Sequence, residues 1–243
     1  ERMKADLITN VSHDIKTPLT SIINYVNLIK LEDVENERVK NYVRILDEKS
    51  QRLKQLTEDL VEASKVSSGN VKLDMQKIDI VELVCQTGGE FDEKFETKEL
   101  TIVTKLPHQA VYIWSDGRHL YRVIENLYNN AAKYALEKTR VYVEVQADEE
   151  TAVFSIKNVS ERSLAIENGS VDDLTERFIR GDSSRTTEGH GLGLSIAKNL
   201  TVLMGGQLEV AVDGDLFKAA IVLPLYRGQD EGKETAYGKS SDI

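Results

Sequence analysis

Residues 3–66 contain no glycine and a single proline, Pro18, and their apolar side chains recur every third or fourth position. A stretch of this length with one breaker and that period specifies helix, because strands alternate every second residue and loops need turn residues. Leu7, Val11, Ile15, Leu19, Ile22, Val26 and Ile29 form one stripe. Val39, Tyr42, Leu46, Leu53, Leu56, Leu60 and Ala63 form a second, interrupted by Lys49. The polar break at 32–37 separates two long helices, which a short turn would fold into an antiparallel hairpin. Each helix carries a whole apolar stripe and has only the other to cover it. Pairing with a second copy into a four-helix bundle would bury what the hairpin leaves open.

At Ser67-Ser68-Gly69-Asn70 the pattern changes to mixed helix and strand, which sets a domain boundary there. Strands are expected at 71–75, 100–105, 111–114, 140–146, 151–157, 207–212 and 216–223. Helices are expected at 81–97, 116–136, 174–180 and from about 192 to 204. Ala147-Asp148-Glu149-Glu150 and Asp213-Gly214-Asp215 read as hairpin turns, and the polar residues 227–243 as a disordered tail.

Composition removes several functions. With 243 residues the chain suits one or two domains, and 31 Lys+Arg against 41 Asp+Glu give a net charge of −10, unsuited to nucleic acid or anionic lipid. The lone cysteine, Cys85, can form no internal disulfide and heads no cysteine-based zinc site, which suits a reducing compartment. No run approaches the roughly 20 apolar residues of a membrane span.

Chemistry is concentrated at three places. On the first helix His13 falls on the side away from the apolar stripe, among Asn10, Thr17, Thr20 and Asn24. Asp14 can accept a hydrogen bond from the ring and raise the basicity of its other nitrogen, and Thr17 lies one turn on. Pro18 cannot donate to the Asp14 carbonyl, so a kink is expected beside the histidine. In 116–136, Leu120, Val123, Ile124, Leu127, Ala131 and Ala135 make the buried stripe, while Arg122, Asn126, Asn130 and Lys133 line a polar face. Two asparagines a turn apart are unusual in a helix interior, but neutral oxygens suit a Mg²⁺ held mostly by phosphate and water. Thirdly, Gly189-His190-Gly191-Leu192-Gly193-Leu194 opens a helix, where glycines let backbone N–H groups approach an anion. Neither a Rossmann nor a P-loop spacing is present. Arg180 and Arg185, cations near those glycines, suit a triphosphate.

Val11-Ser12-His13-Asp14-Ile15-Lys16-Thr17-Pro18-Leu19 resembles the H-box of bacterial two-component sensor histidine kinases. The run 126–134 resembles their N-box, shared with the gyrase and Hsp90 ATPase superfamily, and the run 189–194 their G2 box. The resemblance implies His13 as phospho-acceptor, Asp14 as general base and Thr17 as a phosphatase-mode residue. It implies Asn130 as Mg²⁺ ligand, Asn126 and Lys133 on the phosphate side, and Tyr134 beside the base. Phe178 and Arg180 resemble the F-box, the arginine orienting the γ-phosphate, and residues 181–188 would be a lid closing over ATP with Gly189, Gly191, Leu192, Gly193 and Leu194. One box departs: Asn158-Val159-Ser160-Glu161-Arg162 stands where the family has Asp-x-Gly-x-Gly, so the adenine amino group would meet a neutral acceptor and a stiffer loop.

The expected architecture is α + α/β: a helical hairpin, 1–68, dimerising into a four-helix bundle, then an α/β-sandwich (Bergerat-type) ATP-binding domain, 71–226. The implied function is ATP-dependent autophosphorylation on His13 and transfer to an aspartate of a response regulator. The rival readings are an ATP hydrolase of the gyrase kind and a nucleotide-poor pseudokinase scaffold. The implied partners are a second copy and a response regulator receiver domain, with no nucleic acid. The 243 residues are expected to be the cytoplasmic part of a membrane-anchored parent, without membrane contact of their own.

Overall fold

The structure, a computed structural model, describes residues 2–32, 36–67, 71–161 and 192–228, with the side chains of 2–14, 63, 65–67 and 192 outside the described set. The expected helix at 174–180 and the tail from 229 lie outside the described residues. The chain divides into two compact units, the first ending at Val71 and the second beginning at Lys72.

The first unit is the hairpin. Helix α1 spans Arg2–Leu31 and runs through Pro18, and α2 spans Glu37–Ser67. Helix α2 starts from a side-chain cap, in which Asn36 Oδ1 accepts from the N–H groups of Arg38 at 3.0 Å and Val39 at 3.4 Å. An ion pair from Lys30 to Asp47 (2.7 Å) ties the two helices. The buried positions of α2 are small and polar, Ser50, Thr57 and Ser64, recurring at intervals of seven. Small seam residues let two helix axes approach closely. On α1 Leu19 and Val26 are buried, while Ile15, Ile22 and Ile29 remain 38–43% exposed. On α2 the stripe residues Val39, Tyr42, Leu46, Leu53 and Leu60 are all exposed.

In the second unit β1 (Met75–Asp79) and β3 (Tyr112–Asp116) form a two-stranded antiparallel sheet. The larger sheet joins β2 (Thr101–Lys105), β4 (Arg140–Ala147), β5 (Thr151–Val159), β6 (Gln207–Asp213) and β7 (Leu216–Pro224). Its order is β2-β4-β5-β7-β6, with β2 and β4 parallel and the other pairs antiparallel. The helices are α3 (Ile80–Gly89), α4 (Asp92–Thr97), α5 (Gly117–Tyr134) and α6 (Leu192–Leu203). Both expected hairpins form: Asp148 Oδ1 accepts from Glu150 N and Thr151 N (2.7 Å each), and Gly214 takes the left-handed φ of 58°. Helix α6 ends in Gly205, at φ 81°, and Gly206. A Cβ on Gly206 would stand 2.4 Å from Val222 O, so only glycine lets this helix end press onto β7.

Two expected elements differ. The first strand lies at 75–79 instead of 71–75, because Asp74 N–H is spent on the Asp116 carboxylate (2.8 Å) and pairing starts only at Met75 opposite Asp116. The single helix at 81–97 is two, broken at Gly88-Gly89-Glu90-Phe91. Gly88 packs against the Tyr128 hydroxyl, where a Cβ would come to 3.0 Å, and Phe91 turns inward to stack on Tyr128 with ring centres 5.3 Å apart.

Helix α5 is the centre of this core. Leu120, Val123, Ile124, Leu127, Tyr128 and Ala131 are at most 2% exposed, and the Tyr128 ring meets Phe154 of β5 at 6.2 Å. At its N-terminus Asp116, itself 2% exposed, accepts from His119 N at 3.0 Å. Burial works to raise this carboxyl, but the hydrogen bonds from His119 N and Asp74 N, with the His119 ring 3.0 Å away, outweigh it and hold it below the ordinary carboxylate range. A depressed folded-state pKa contributes stability above the unfolded value, roughly 3.9, and loses it as pH falls through the folded value. Asp116→Ala should therefore destabilise the chain by about 1–2 kcal/mol at neutral pH in urea melts. The gap to wild type should close in strong acid.

Candidate functional site

The buried stripe of α5 fixes the direction of its opposite face. Arg122, Asn126, Asn130 and Lys133 follow one another along that face, and Arg122 pairs with Glu125 at 2.7 Å. The Nδ2 atoms of Asn126 and Asn130 are buried and have no hydrogen-bond partner among the described residues. An orphaned buried amide donor costs about 1–3 kcal/mol, and two on successive turns mark groups held ready for something outside the chain's own core. Asn129, between them, is spent on Lys94 (3.1 Å).

Gly193, in the first turn of α6, faces the first of these amides. A Cβ there would stand 3.4 Å from Asn126 Oδ1 and 3.7 Å from its Cγ, so the backbone of α6 approaches α5 at this point. Leu194 next to it is 6% exposed and belongs to the core. At the other end of the polar face, the Lys133 ammonium lies 4.9 Å from the centre of the Tyr134 ring, which is 38% exposed.

The end of α5 is sewn to the end of β5. Leu136 N donates to Val159 O (2.9 Å), Glu161 N to Tyr134 O (2.8 Å), and Ala135 and Ser160 form a β-bridge. This brings Tyr134 beside the strand that carries Asn158. In the sheet register Asn158 lies between Val141 and Phe217, a polar residue at 3% exposure in an apolar row that continues to Ile102 and Val212. Its Nδ2 donates to Val159 O at 3.2 Å, which directs the amide nitrogen to the backbone. Burying an amide in such a row costs stability unless it is hydrogen-bonded, and the bond to Val159 O offsets part of that cost.

The structure thus brings together Asn126 with Gly193, Lys133 with Tyr134, and Tyr134 with the Asn158 strand end. Phe178, Arg180, Arg185, Gly189, Gly191 and the Leu192 side chain lie outside the described residues. So do the side chains of His13 and Asp14, whose backbone runs within α1; Thr17 is exposed there. Sequence reading passed over two residues that hold the site. Tyr128, pushed above the ordinary phenol range by burial, falls one turn after Ile124 and was legible as core. Lys98, whose ammonium reaches Lys133 O at 2.7 Å across 35 residues, carries no local signal.

If the two orphaned amides are a standing cost, an apolar replacement of similar volume removes it. Asn130→Leu should raise the melting temperature of the unliganded protein by about 2–4 °C, read by calorimetry.

Residues 3–69 match the model of the His Kinase A (phospho-acceptor) domain, and residues 115–236 that of the histidine kinase-, DNA gyrase B- and HSP90-like ATPase family. The sensor histidine kinase WalK of Bacillus subtilis is 26% identical over 240 residues, 97% of this chain and 39% of WalK. The sensor protein VanSC of Enterococcus gallinarum is 31% identical over 212 residues, 86% of this chain and 57% of VanSC. The chain therefore spans about two to three fifths of the length of these curated relatives. Among solved structures, full-length ShkA in complex with AMPPNP shares the fold with a TM-score of 0.73 at 22% identity, over 90% of this chain and 46% of that one. A phospho-acceptor hairpin followed by this kind of nucleotide fold places the chain in the family of two-component sensor histidine kinases, of which it carries the catalytic region.

Proposed function

We propose that this region takes the γ-phosphoryl group of ATP onto His13 and passes it to an aspartate of a response regulator. The observation that carries the reading is the pair of buried amides on α5, Asn126 and Asn130, whose Nδ2 atoms have no partner among the described residues, in a chain whose other unit matches the phospho-acceptor model. Neutral amides suit the task, since a carboxylate on that face would repel a triphosphate. Asn130 would hold Mg²⁺ through its side-chain oxygen, and the metal when bound neutralises charge on the phosphates. Asn126 and Lys133 face the phosphate side, Tyr134 and Asn158 the base, and Arg180, Arg185 and the glycines at 189, 191 and 193 would complete the site.

In the transfer itself a ring nitrogen of His13 forms a bond to the γ-phosphorus as the bond to the β-phosphate bridging oxygen breaks, ADP leaves, and the proton on the other ring nitrogen passes to Asp14. Such a reaction depends on positioning, so it needs the two units to approach one another. Thr17, exposed on α1 one turn on in sequence, would orient a water for hydrolysis of the regulator's phospho-aspartate, the phosphatase mode.

Dimerisation belongs to the same reading. Leu19 and Val26 are the buried apolar side chains of the hairpin among the described residues, together roughly 3–6 kcal/mol of burial. Ordering costs about 1–2 kcal/mol per residue, so the exposed stripe of Ile15, Ile22, Ile29, Leu46, Leu53 and Leu60 must find a partner. A second copy offers the same stripe, and light scattering should give the dimer mass at micromolar concentration. No described helix is long and apolar enough to cross a membrane, and in this reading the chain is the cytoplasmic part of a longer anchored protein.

Incubation with labelled ATP and Mg²⁺ tests the central claim. Wild type should acquire acid-labile, base-stable label, and His13→Gln none. Phosphate release unaffected by that substitution would instead identify a hydrolase, and absence of nucleotide binding a scaffold.

A further inference from the structure

We propose that Lys98 is a positioning residue of the nucleotide site, a clamp that sets Lys133 and Tyr134 at the end of α5 relative to the strand end carrying Asn158. The inference rests on the nucleotide reading of that site.

Helix α5 stops at Tyr134, and Ala135 is extended at φ −66° and ψ 139°. The last carbonyls of a helix lack internal partners and carry its negative dipole end. Here three successive carbonyls are satisfied from two sources. Lys98 Nζ donates to Lys133 O at 2.7 Å and approaches Ala135 O at 3.4 Å, while the carbonyl between them, on Tyr134, accepts from Glu161 N at 2.8 Å. The Glu161 carboxylate stands 4.0 Å from the same ammonium. One side chain thus bonds the carbonyls at the end of α5 and stands at ion-pair distance from Glu161, just past β5. Its side chain is 24% exposed, half-buried against the seam.

The backbone of Lys98 is fixed as firmly. Its N–H donates to Phe95 O (3.2 Å) and its carbonyl accepts from Lys138 N (3.1 Å). The residue after it, Glu99, and the accepted partner, Lys138, are non-glycine residues at φ 51° and 61°, and their side chains pair at 3.3 Å. Left-handed conformers of such residues are strained and persist where surroundings over-determine them. Two left-handed residues beside Lys98 in the backbone pattern fix where its main chain sits, and from there the ammonium reaches the carbonyls at the end of α5. A plain helix cap would need neither the strain nor the link to Glu161. The residues so held are Lys133 and Tyr134 on one side and the Asn158–Glu161 segment on the other, the groups assigned to the phosphates and the base. Displacing that seam would misplace the binding groups Lys133, Tyr134 and Asn158 while leaving the asparagine face, a turn or two away, in position.

The test compares wild type, Lys98→Met and Lys98→Arg in the full chain. A non-hydrolysable ATP analogue is titrated by calorimetry, and kcat and KM for ATP are measured in autophosphorylation. Lys98→Met should weaken analogue binding and raise KM by about tenfold while kcat at saturating ATP stays within about twofold, and Lys98→Arg should recover most of the loss. Lys98→Gln, which keeps a neutral donor, should fall between them and serves if the methionine variant does not fold. A Lys98→Met protein that melts at lower temperature yet binds the analogue as wild type does would reduce Lys98 to a cap and overturn the proposal. If wild type binds no nucleotide at all, the reading of the site falls and this inference with it.

Discussion

Helix α5 answers two demands with one element, and the rest of the second unit follows from that. Its stripe from Leu120 to Ala131 is essentially without solvent contact, so the helix cannot rotate without exposing several large side chains at roughly 1.5–3 kcal/mol each. Because the stripe is fixed, the opposite face is fixed too, and the two amides that have no partner among the described residues are held there without the helix turning to satisfy them. The ends are held by charge: the Asp116 carboxylate accepts N–H groups at the start, and the Lys98 ammonium takes carbonyls at the finish. Both signs oppose the helix dipole, as they must to stabilise it.

The two units are stabilised differently. In the second, core side chains from the helices and the inner rows of the five-stranded sheet interlock, with Tyr128 stacked between Phe91 and Phe154. In the first, the seam of the hairpin is made of Ser50, Thr57 and Ser64 opposite few buried apolar groups, and the larger apolar side chains point away from it. A hairpin built this way leaves most of its described apolar stripe exposed in the single chain. That division suits a domain whose stability is meant to come from association.

Much of this was legible beforehand because it depends on local period. The stripe of α5, both hairpin turns and the strand pairs β4–β5 and β6–β7 follow from spacing and turn chemistry alone. What failed did so for tertiary reasons. Residues 71–74 alternate like a strand, yet the Asp74 N–H is taken by Asp116, 42 residues on. The stretch 81–97 keeps a helical period across Gly88 and Gly89, and only the approach of Tyr128 explains why the chain turns there. The stripe of α2 predicted apolar positions correctly but not which of them the single chain buries, since that depends on what lies opposite.

For the site, sequence determined which residue types stand at which spacing: a histidine and aspartate before a proline, two asparagines a turn apart, a glycine run at a helix start, and an asparagine where the family carries aspartate. These are properties of one segment at a time, and period and composition report them. The tertiary structure alone decided that Gly193 faces Asn126, that Asn158 sits buried in an apolar row, and that Lys98 ties the end of α5 to the end of β5. Such pairings join residues tens of positions apart, and their energies arise from burial and electrostatics that exist only once the chain has folded.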